Sequence, residues 1–493
     1  MIRGQSIGWR TLVFWGLLLA VLLGVRVYLF KLLPTCLWSK DAGSYLRSAY
    51  EWLQTGHWET DPRRGPVYSM FLAGCLYLWG DFNFVIIIQH LLGAAAVLMA
   101  VGVMSGMHPG ARWWALWLCG YALAVHGGVL HMGHMIRNET LLLFFATLAL
   151  ACWWAALRSI HPGWLLICGA ATALLTLTKN IFAPFPLLVV GFAWWQHRAV
   201  WRRALLHGSF FLVGLGIHYC AAALVKPKTT EPQEGYLLYA RVAQFTVLDG
   251  GIEPDIKAII RPDIEAYRQR GELDNNIILK RTAVPKINQH LRERGRSMAE
   301  ANALCRRLAT EAIRANVGPY ALQVIGDLLD LLLKNAKQIR KPDRGDIEAN
   351  RSLLANKDSV PWMRLPQSLA ASEAAAAPGH FRVYHWITAS SWLFVVVPVF
   401  ITTLLIPLFI WLSSGAERLW WLGLATLWGF TLALLCTVGR PMDRYLLPVL
   451  PIMFWSLSHG LFLLCDSTAN FLRKRSTPAD PCCLNQKRHR GEK

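Results

Sequence analysis

The run TLVFWGLLLAVLLGVRVYLFKLL, Thr11 to Leu33, constrains this chain more than any other stretch. At about 1.5 Å per residue, a helix of that length crosses a hydrocarbon core of roughly 30 Å. Inside such a core every backbone N–H and C=O must be satisfied by the segment itself, which a helix does. A secretory signal has a shorter apolar core and a small-residue cleavage site; neither is present here, so the run reads as a signal anchor that is retained. Further spans follow at 84–104, 112–130, 140–158, 163–178, 181–196, 204–225, 386–412, 418–438 and 446–465, which with the first makes ten. Composition agrees: 54% of the 493 residues are hydrophobic and 23 are Trp, far from soluble usage. The expected fold is an all-α polytopic membrane protein.

Two stretches decide the topology. In 163–196, TLTKN at 176–180 puts a charge and a helix-breaking Asn mid-way, with Pro184 and Pro186 beyond, so a helix hairpin is expected. PVYSMFLAGCLYLWG, 66–80, is apolar but short for a crossing and is read as an interfacial or re-entrant helix. That choice gathers Arg3, Arg10, Arg112, Arg158, HRAVWRR at 197–203, Arg418 and the basic tail 466–493 on one side. Lys/Arg excess marks the cytoplasmic side. The opposite, extracytoplasmic face then receives the 34–65 loop, HMGHMIRNE at 131–139, the turn at Thr178 to Asn180, the segment 226–385 and GRPMDRY at 439–445. A bacterial inner membrane with the polar face toward the periplasm is the expected setting.

The chain thus divides into a transmembrane module over 1–225, an extracytoplasmic soluble segment over 226–385, C-terminal spans over 386–465 and the tail. Of the 30 acidic residues, 19 fall in 226–385, which has no membrane-length apolar run. Its composition predicts a mainly helical segment: Ser297 and Glu300 stand at capping-box spacing before an amphipathic run, and SLAASEAAAAPG at 368–379 reads as a linker.

Among the remaining acids, several cluster on the outer face. Asp41, in SKDAGSYLRSAYEWLQTG, lies just past the anchor, and Tyr45 and Ser48 share its helical face. Glu139 opens the helix predicted over 140–158. For each acid the plain alternative is helix capping, by Asp41 itself or by Asn138 ahead of Glu139. Arg63 and Arg64 in DPRRGPVY sit where the charge bias disfavours arginine. Lys179 stands at the outer end of the hairpin, where snorkelling alone accounts for it, and Arg440 and Arg444 lie at the mouth between the last two spans. Together they place two carboxylates and about five cations on one membrane face, the requirement of a reaction at a lipid-linked phosphate.

The order KDAGSY…RRGPVY, RNETLLLF, LTLTKNIFAPFPLL and RYLLPVLP resembles the membrane-embedded glycosyltransferases of the GT-C superfamily, close to the family of protein mannosyltransferases and lipid A aminoarabinose transferases. The resemblance covers residues 10–225 and the last three spans. Asp41 alone represents the paired acids of the first-loop site, and the extra lumenal sugar-binding domain of eukaryotic protein mannosyltransferases has no counterpart.

The resemblance implies transfer of a sugar, with inversion, from a polyprenyl-phosphate donor to an acceptor hydroxyl on a glycan, lipid or protein. Asp41 or Glu139 would be the base, Arg63, Arg64, Lys179, Arg440 and Arg444 would hold the phosphate, and Tyr45, Tyr68 and Tyr445 would position substrate. No cofactor is required: a monophosphate leaving group does not demand a divalent ion, and His131 and His134 are the residues that would hold one. A transporter or lipid-linked-sugar flippase is the rival class, but transporters place charges near the bilayer midplane, and here only Arg26 is clearly intramembrane. The +20 net charge fits cytoplasmic loops and a tail beside anionic lipid, so membrane lipid rather than nucleic acid is the expected partner. Of 11 cysteines only Cys36 and Cys305 fall on the outer side, so a disulfide framework is not indicated.

Overall fold

The computed structural model describes residues 8–33, 36–37, 41–56, 64–107, 113–159, 161–179, 182, 185–197, 201–224, 234–269, 282–333, 383, 393–438, 446 and 448–476. These residues form helices and one isolated bridge, Leu37 to Met135. The N-terminal part contains α1 (Trp9–Leu32), α2 (Ala42–Thr55), α3 (Pro66–Trp79), α4 (Phe82–Met107), α5 (Trp113–Ala124), α6 (Gly127–His134), α7 (Glu139–Arg158), α8 (Gly163–Thr178), α9 (Phe185–His197) and α10 (Trp201–Leu224). Then come α11 (Glu234–Val242), α12 (Pro254–Gln269), α13 (Ala283–Glu293), α14 (Met298–Ala315) and α15 (Val317–Leu333). The chain ends with α16 (Leu393–Leu412), α17 (Gly415–Val438) and α18 (Leu450–Ser476).

Among the described residues, α1, α4 and α7 are long and apolar enough to cross a membrane by length and composition. Shorter apolar helices accompany them: α3, α8, and parts of α10, α16 and α18. The expectation of ten spans is therefore matched outright by three. One predicted span is corrected. Residues 112–130 are not one helix, because α5 stops at Ala124 and α6 starts at Gly127. The break falls at Val125 and His126, just ahead of the Gly127–Gly128 pair that opens α6, and the low helix propensity of that pair, about 1 kcal/mol each relative to Ala, weakens any single helix running through it. The helix break expected at 176–180 is present: α8 ends at Thr178 and α9 begins at Phe185. The linker at 368–379 and the start of the span at 386 lie outside the described residues.

Small residues set the tightest helix contact. α8 packs between α7 and α10. A Cβ on Gly169 would lie 2.1 Å from the Phe211 carbonyl oxygen, and one on Gly214 would lie 2.1 Å from that of Leu166. Where lipid replaces water outside the bundle, close backbone approach of this kind supplies the association energy that burial supplies in water. The C-terminal helices join through indoles. Trp420 stacks obliquely on Trp153, Trp154 and Trp455 at 5.0, 5.1 and 5.3 Å between ring centres, and Trp455 donates to the Ala100 oxygen on α4 at 2.9 Å.

Helices α11 to α14 share a separate apolar core built on Tyr239, Ile260, Ile287, Cys305 and Leu308. The capping box is present: Ser297 accepts from the Glu300 amide while the Glu300 carboxylate accepts from that of Ser297. Lys257, only 1% exposed, is neutralised by Glu311 at 2.8 Å and donates to the Gly250 oxygen. Arg241 pairs with Asp327 on α15, and Val324 and Leu328 of α15 pack against the large bundle core. Cys305 and Cys36 are free thiols buried in different clusters, so no bridge joins them.

Candidate active site

The ends of α2, α3, α7 and α8 meet where the sequence placed its acids. Asp41 holds the N-cap position of α2, but its side chain makes no capping bond. It accepts instead from Arg64 Nη2 at 2.5 Å, while Arg64 Nε donates to Ser44 Oγ at 3.0 Å. The same guanidinium lies over the Tyr45 ring, 5.0 Å from its centre. The capping alternative for Asp41 is thereby corrected: the backbone turn is closed by Ser44, whose hydroxyl donates to the Asp41 carbonyl at 2.7 Å. The carboxylate and guanidinium remain 30% and 28% exposed, so this pair faces an opening rather than the core.

Beneath it the aromatic residues turn inward. Tyr45 and Tyr68 meet edge to face at 4.8 Å, and both are buried. Tyr68 donates to Gln89 Oε1 at 2.8 Å, and Gln89 donates to the carbonyls of Gly133 and Met135 at 3.1 and 2.8 Å. Burial pushes the Tyr45 phenol well up; Arg64 opposes this, and the charges of Glu139 and Asp41 add to it. Tyr68 is raised for the same first reason, with Tyr45 and Glu139 contributing. Both phenols are therefore neutral O–H donors at physiological pH, and both lie in the field of Glu139.

Glu139, 3% exposed, is the first residue of α7. The capping alternative fails here too. Asn138 makes no side-chain cap and instead donates to the Thr178 carbonyl at 3.3 Å, tying the start of α7 to the end of α8. Gly65 docks on that same α8 end, since a Cβ there would sit 1.8 Å from the Leu177 oxygen. Lys179 follows directly, half-buried, its amide closing α8 on Leu175. The last turn of α8 is thus a common anvil for the segments carrying Arg64 and Glu139.

Of the residues expected from sequence, Asp41, Arg64, Tyr45, Tyr68, Glu139 and Lys179 come together around this turn. Arg63, Arg440, Arg444 and Tyr445 lie outside the described residues. His134 is engaged by protein on both ring nitrogens: its Nδ1 lies 3.0 Å from His90 Nε2 and its Nε2 lies 2.7 Å from the Leu33 oxygen. His131 stands three residues earlier, partly exposed, and no group of three or more His, Cys, Asp or Glu with metal-binding geometry occurs among the described residues. Sequence reasoning missed Ser44, Gly65 and Gln89, and it read Asn138 as a cap rather than as a partner of α8.

No protein-family model matches the sequence, and no curated protein does. Solved structures that this chain is similar to include ArnT from Cupriavidus metallidurans bound to undecaprenyl phosphate, at 16% identity and a TM-score of 0.35, over 89% of this chain and 79% of that one. The apo state of the same protein matches at 16% identity and a TM-score of 0.33, over 88% and 78%. The archaeal oligosaccharyltransferase AglB from Archaeoglobus fulgidus, in complex with an inhibitory peptide and a dolichol-phosphate, matches at 9% identity and a TM-score of 0.45, over 94% of this chain and 52% of that one.

Proposed function

We propose that the chain is an inverting glycosyltransferase that moves a sugar from a polyprenyl-phosphate donor to an acceptor hydroxyl at the outer membrane–water boundary. The observation that carries this reading is the meeting of Asp41, Arg64 and Glu139 around two neutral tyrosines at one end of the bundle. It is supported by the motif order in the sequence.

In this mechanism Asp41 takes the proton of the acceptor hydroxyl as the acceptor oxygen bonds to the anomeric carbon. The bond from that carbon to the phosphate oxygen breaks on the opposite face, and its electron pair leaves with the phosphate. A phosphate needs no proton to depart, only positive charge fixed where its own charge grows. Arg64 and Lys179 supply that charge, with Arg63, Arg440 and Arg444 as further candidates. Arg64 has a second task, since its charge-assisted bond to Asp41 aims the base. The neutral phenols of Tyr45 and Tyr68 donate hydrogen bonds without adding charge, and Glu139 is the second base candidate and orients the acceptor. Tyr445 is proposed as a third positioning residue.

Two measurements test the proposal. Purified protein in nanodiscs, given a polyprenyl-phosphate sugar and a crude acceptor pool, should release polyprenyl phosphate in step with glycosylated product. Release of neither, together with carrier-mediated movement of the lipid-linked sugar across the bilayer, would replace the transferase by the flippase. Cysteine labels in 197–203 should react only from the cytoplasm and labels in 234–333 only from outside; the reverse would overturn the proposed orientation.

A further inference from the structure

A chain of buried hydrogen bonds runs from the middle of α1 to the turn before α7, and the proposed chemistry does not use it. Arg26, 4% exposed, donates from Nη1 to the Leu22 oxygen at 2.9 Å and from Nε to the His90 oxygen on α4 at 3.1 Å. His90 and His134 then link to the Leu33 oxygen at the end of α1. The direction of this chain follows from one fact: a carbonyl only accepts. His134 Nε2 must therefore carry a proton. In the neutral ring its Nδ1 is then an acceptor, so His90 donates from Nε2. That leaves His90 Nδ1 unprotonated. It has no hydrogen-bond partner among the described residues and faces Gly133, where a Cβ would lie 2.9 Å away. Phe30 packs against both rings at 5.2 Å, and both imidazoles are buried.

What the chain holds is backbone. Leu33 is bonded to the His134 ring, the Leu37 amide donates to the His134 carbonyl at 2.8 Å, and the Leu37 carbonyl accepts from the Ile136 amide at 3.0 Å. The segment leading to Asp41 is thus fastened at both Leu33 and Leu37 to the segment leading to Glu139. Gln89, next to His90, fastens that second segment again and carries Tyr68 with it.

We propose that His90 and His134 are positioning residues, which hold Leu33 and Leu37, ahead of Asp41, in one register against 134–136, ahead of Glu139, so that the two carboxylates keep a fixed separation. The role rests on the reading of those carboxylates as reactive. A displacement of about 1 Å at a reacting group costs on the order of 100-fold in rate.

The test compares His90→Leu with His90→Gln in the full-length protein. Gln offers an amide N–H where the imidazole Nε2–H was, so it can still donate to His134, whereas Leu cannot. Two readouts are taken: kcat and KM for sugar transfer, and the rate at which Cys36 reacts with a water-soluble maleimide, followed by mass spectrometry. Cys36 is 3% exposed and sits between Leu33 and Leu37, so it reports the fastening without any need for activity. In His90→Leu, kcat should fall by about 10–100-fold with the donor KM within about twofold, while Cys36 labelling rises about tenfold or more. His90→Gln should recover most of both. Wild-type kcat with a protected Cys36 in His90→Leu, or no recovery in His90→Gln, overturns the proposal. A wild-type protein that transfers no sugar, with the Cys36 pattern intact, refutes the transferase reading and leaves the fastening of the two segments standing.

Discussion

Replacing Asp41 by Asn separates base chemistry from architecture. Asn keeps the size and an oxygen that can still accept from Arg64 Nη2, so the contact at 2.5 Å is weakened but not vacated. The pair is 30% and 28% exposed, and partly exposed ion pairs are worth about 0–1 kcal/mol after solvent screening. Folding stability should therefore change by less than about 1 kcal/mol, also because Asp41 makes no capping bond that could be lost. The reaction responds on a different scale. Removing the proton acceptor costs on the order of 100-fold or more in kcat, and at about 1.36 kcal/mol per decade that is at least about 2.7 kcal/mol of transition-state stabilisation. The assay is release of polyprenyl phosphate by the purified variant in nanodiscs, with thermal unfolding and donor binding measured on the same sample. A loss of rate with unchanged unfolding and donor affinity is the expected result. A folded Asp41→Asn protein that transfers sugar at the wild-type rate would refute Asp41 as the base and transfer that role to Glu139.

Gly65→Ala would drive a Cβ to 1.8 Å from the Leu177 oxygen, and because that atom is backbone the 64–66 segment must retreat from α8. Overpacking of this kind costs about 1–3 kcal/mol, and Arg64 moves with the segment, so kcat should fall by about 10-fold or more while a Gly43→Ala control, with open space at its Cβ, stays near wild type. The Cys36 thiol gives a pH prediction. Burial, with the charge of Asp81 adding to it, pushes it from 9.0 up to about 12. The folded protein should then hold about a thousandfold less thiolate at pH 8 than an unfolded chain and alkylate correspondingly slowly. Because the unfolded thiol ionises first, this group contributes stability that is lost as pH rises from about 9 to about 12; a melting temperature with no such decline in wild type relative to Cys36→Ala would contradict it. Neutralising Lys179 should weaken binding of the polyprenyl-phosphate donor by about 1–3 kcal/mol if the contact is a charge-assisted hydrogen bond, and unchanged affinity in a titration would remove Lys179 from the phosphate site.

Length and hydropathy by themselves determined much of this protein. A run such as Thr11 to Leu33 has one stable solution in hydrocarbon, so the long helices follow from composition, and the punctuation TLTKN ended α8 at Thr178 as local chemistry requires. Capping-box spacing was equally local, and Ser297 and Glu300 pair as their positions demand. The candidate residues Asp41, Arg64, Tyr45, Tyr68 and Glu139 were legible as residue types at helix ends. Their partnerships were not, because those depend on which helix ends meet. Local rules assigned Asp41 and Asn138 to capping, yet a guanidinium 23 positions away and the end of α8 captured their side chains. The same cause hid the role of His134: the sequence offered it only as a metal candidate with His131, while the fold brought His90 from α4 and Leu33 from the end of α1 to its two nitrogens. Helix identity is set by contacts within a few residues; the site is set by contacts across 20 to 101 positions of chain, which only the packing of small residues such as Gly65 and Gly133 allows.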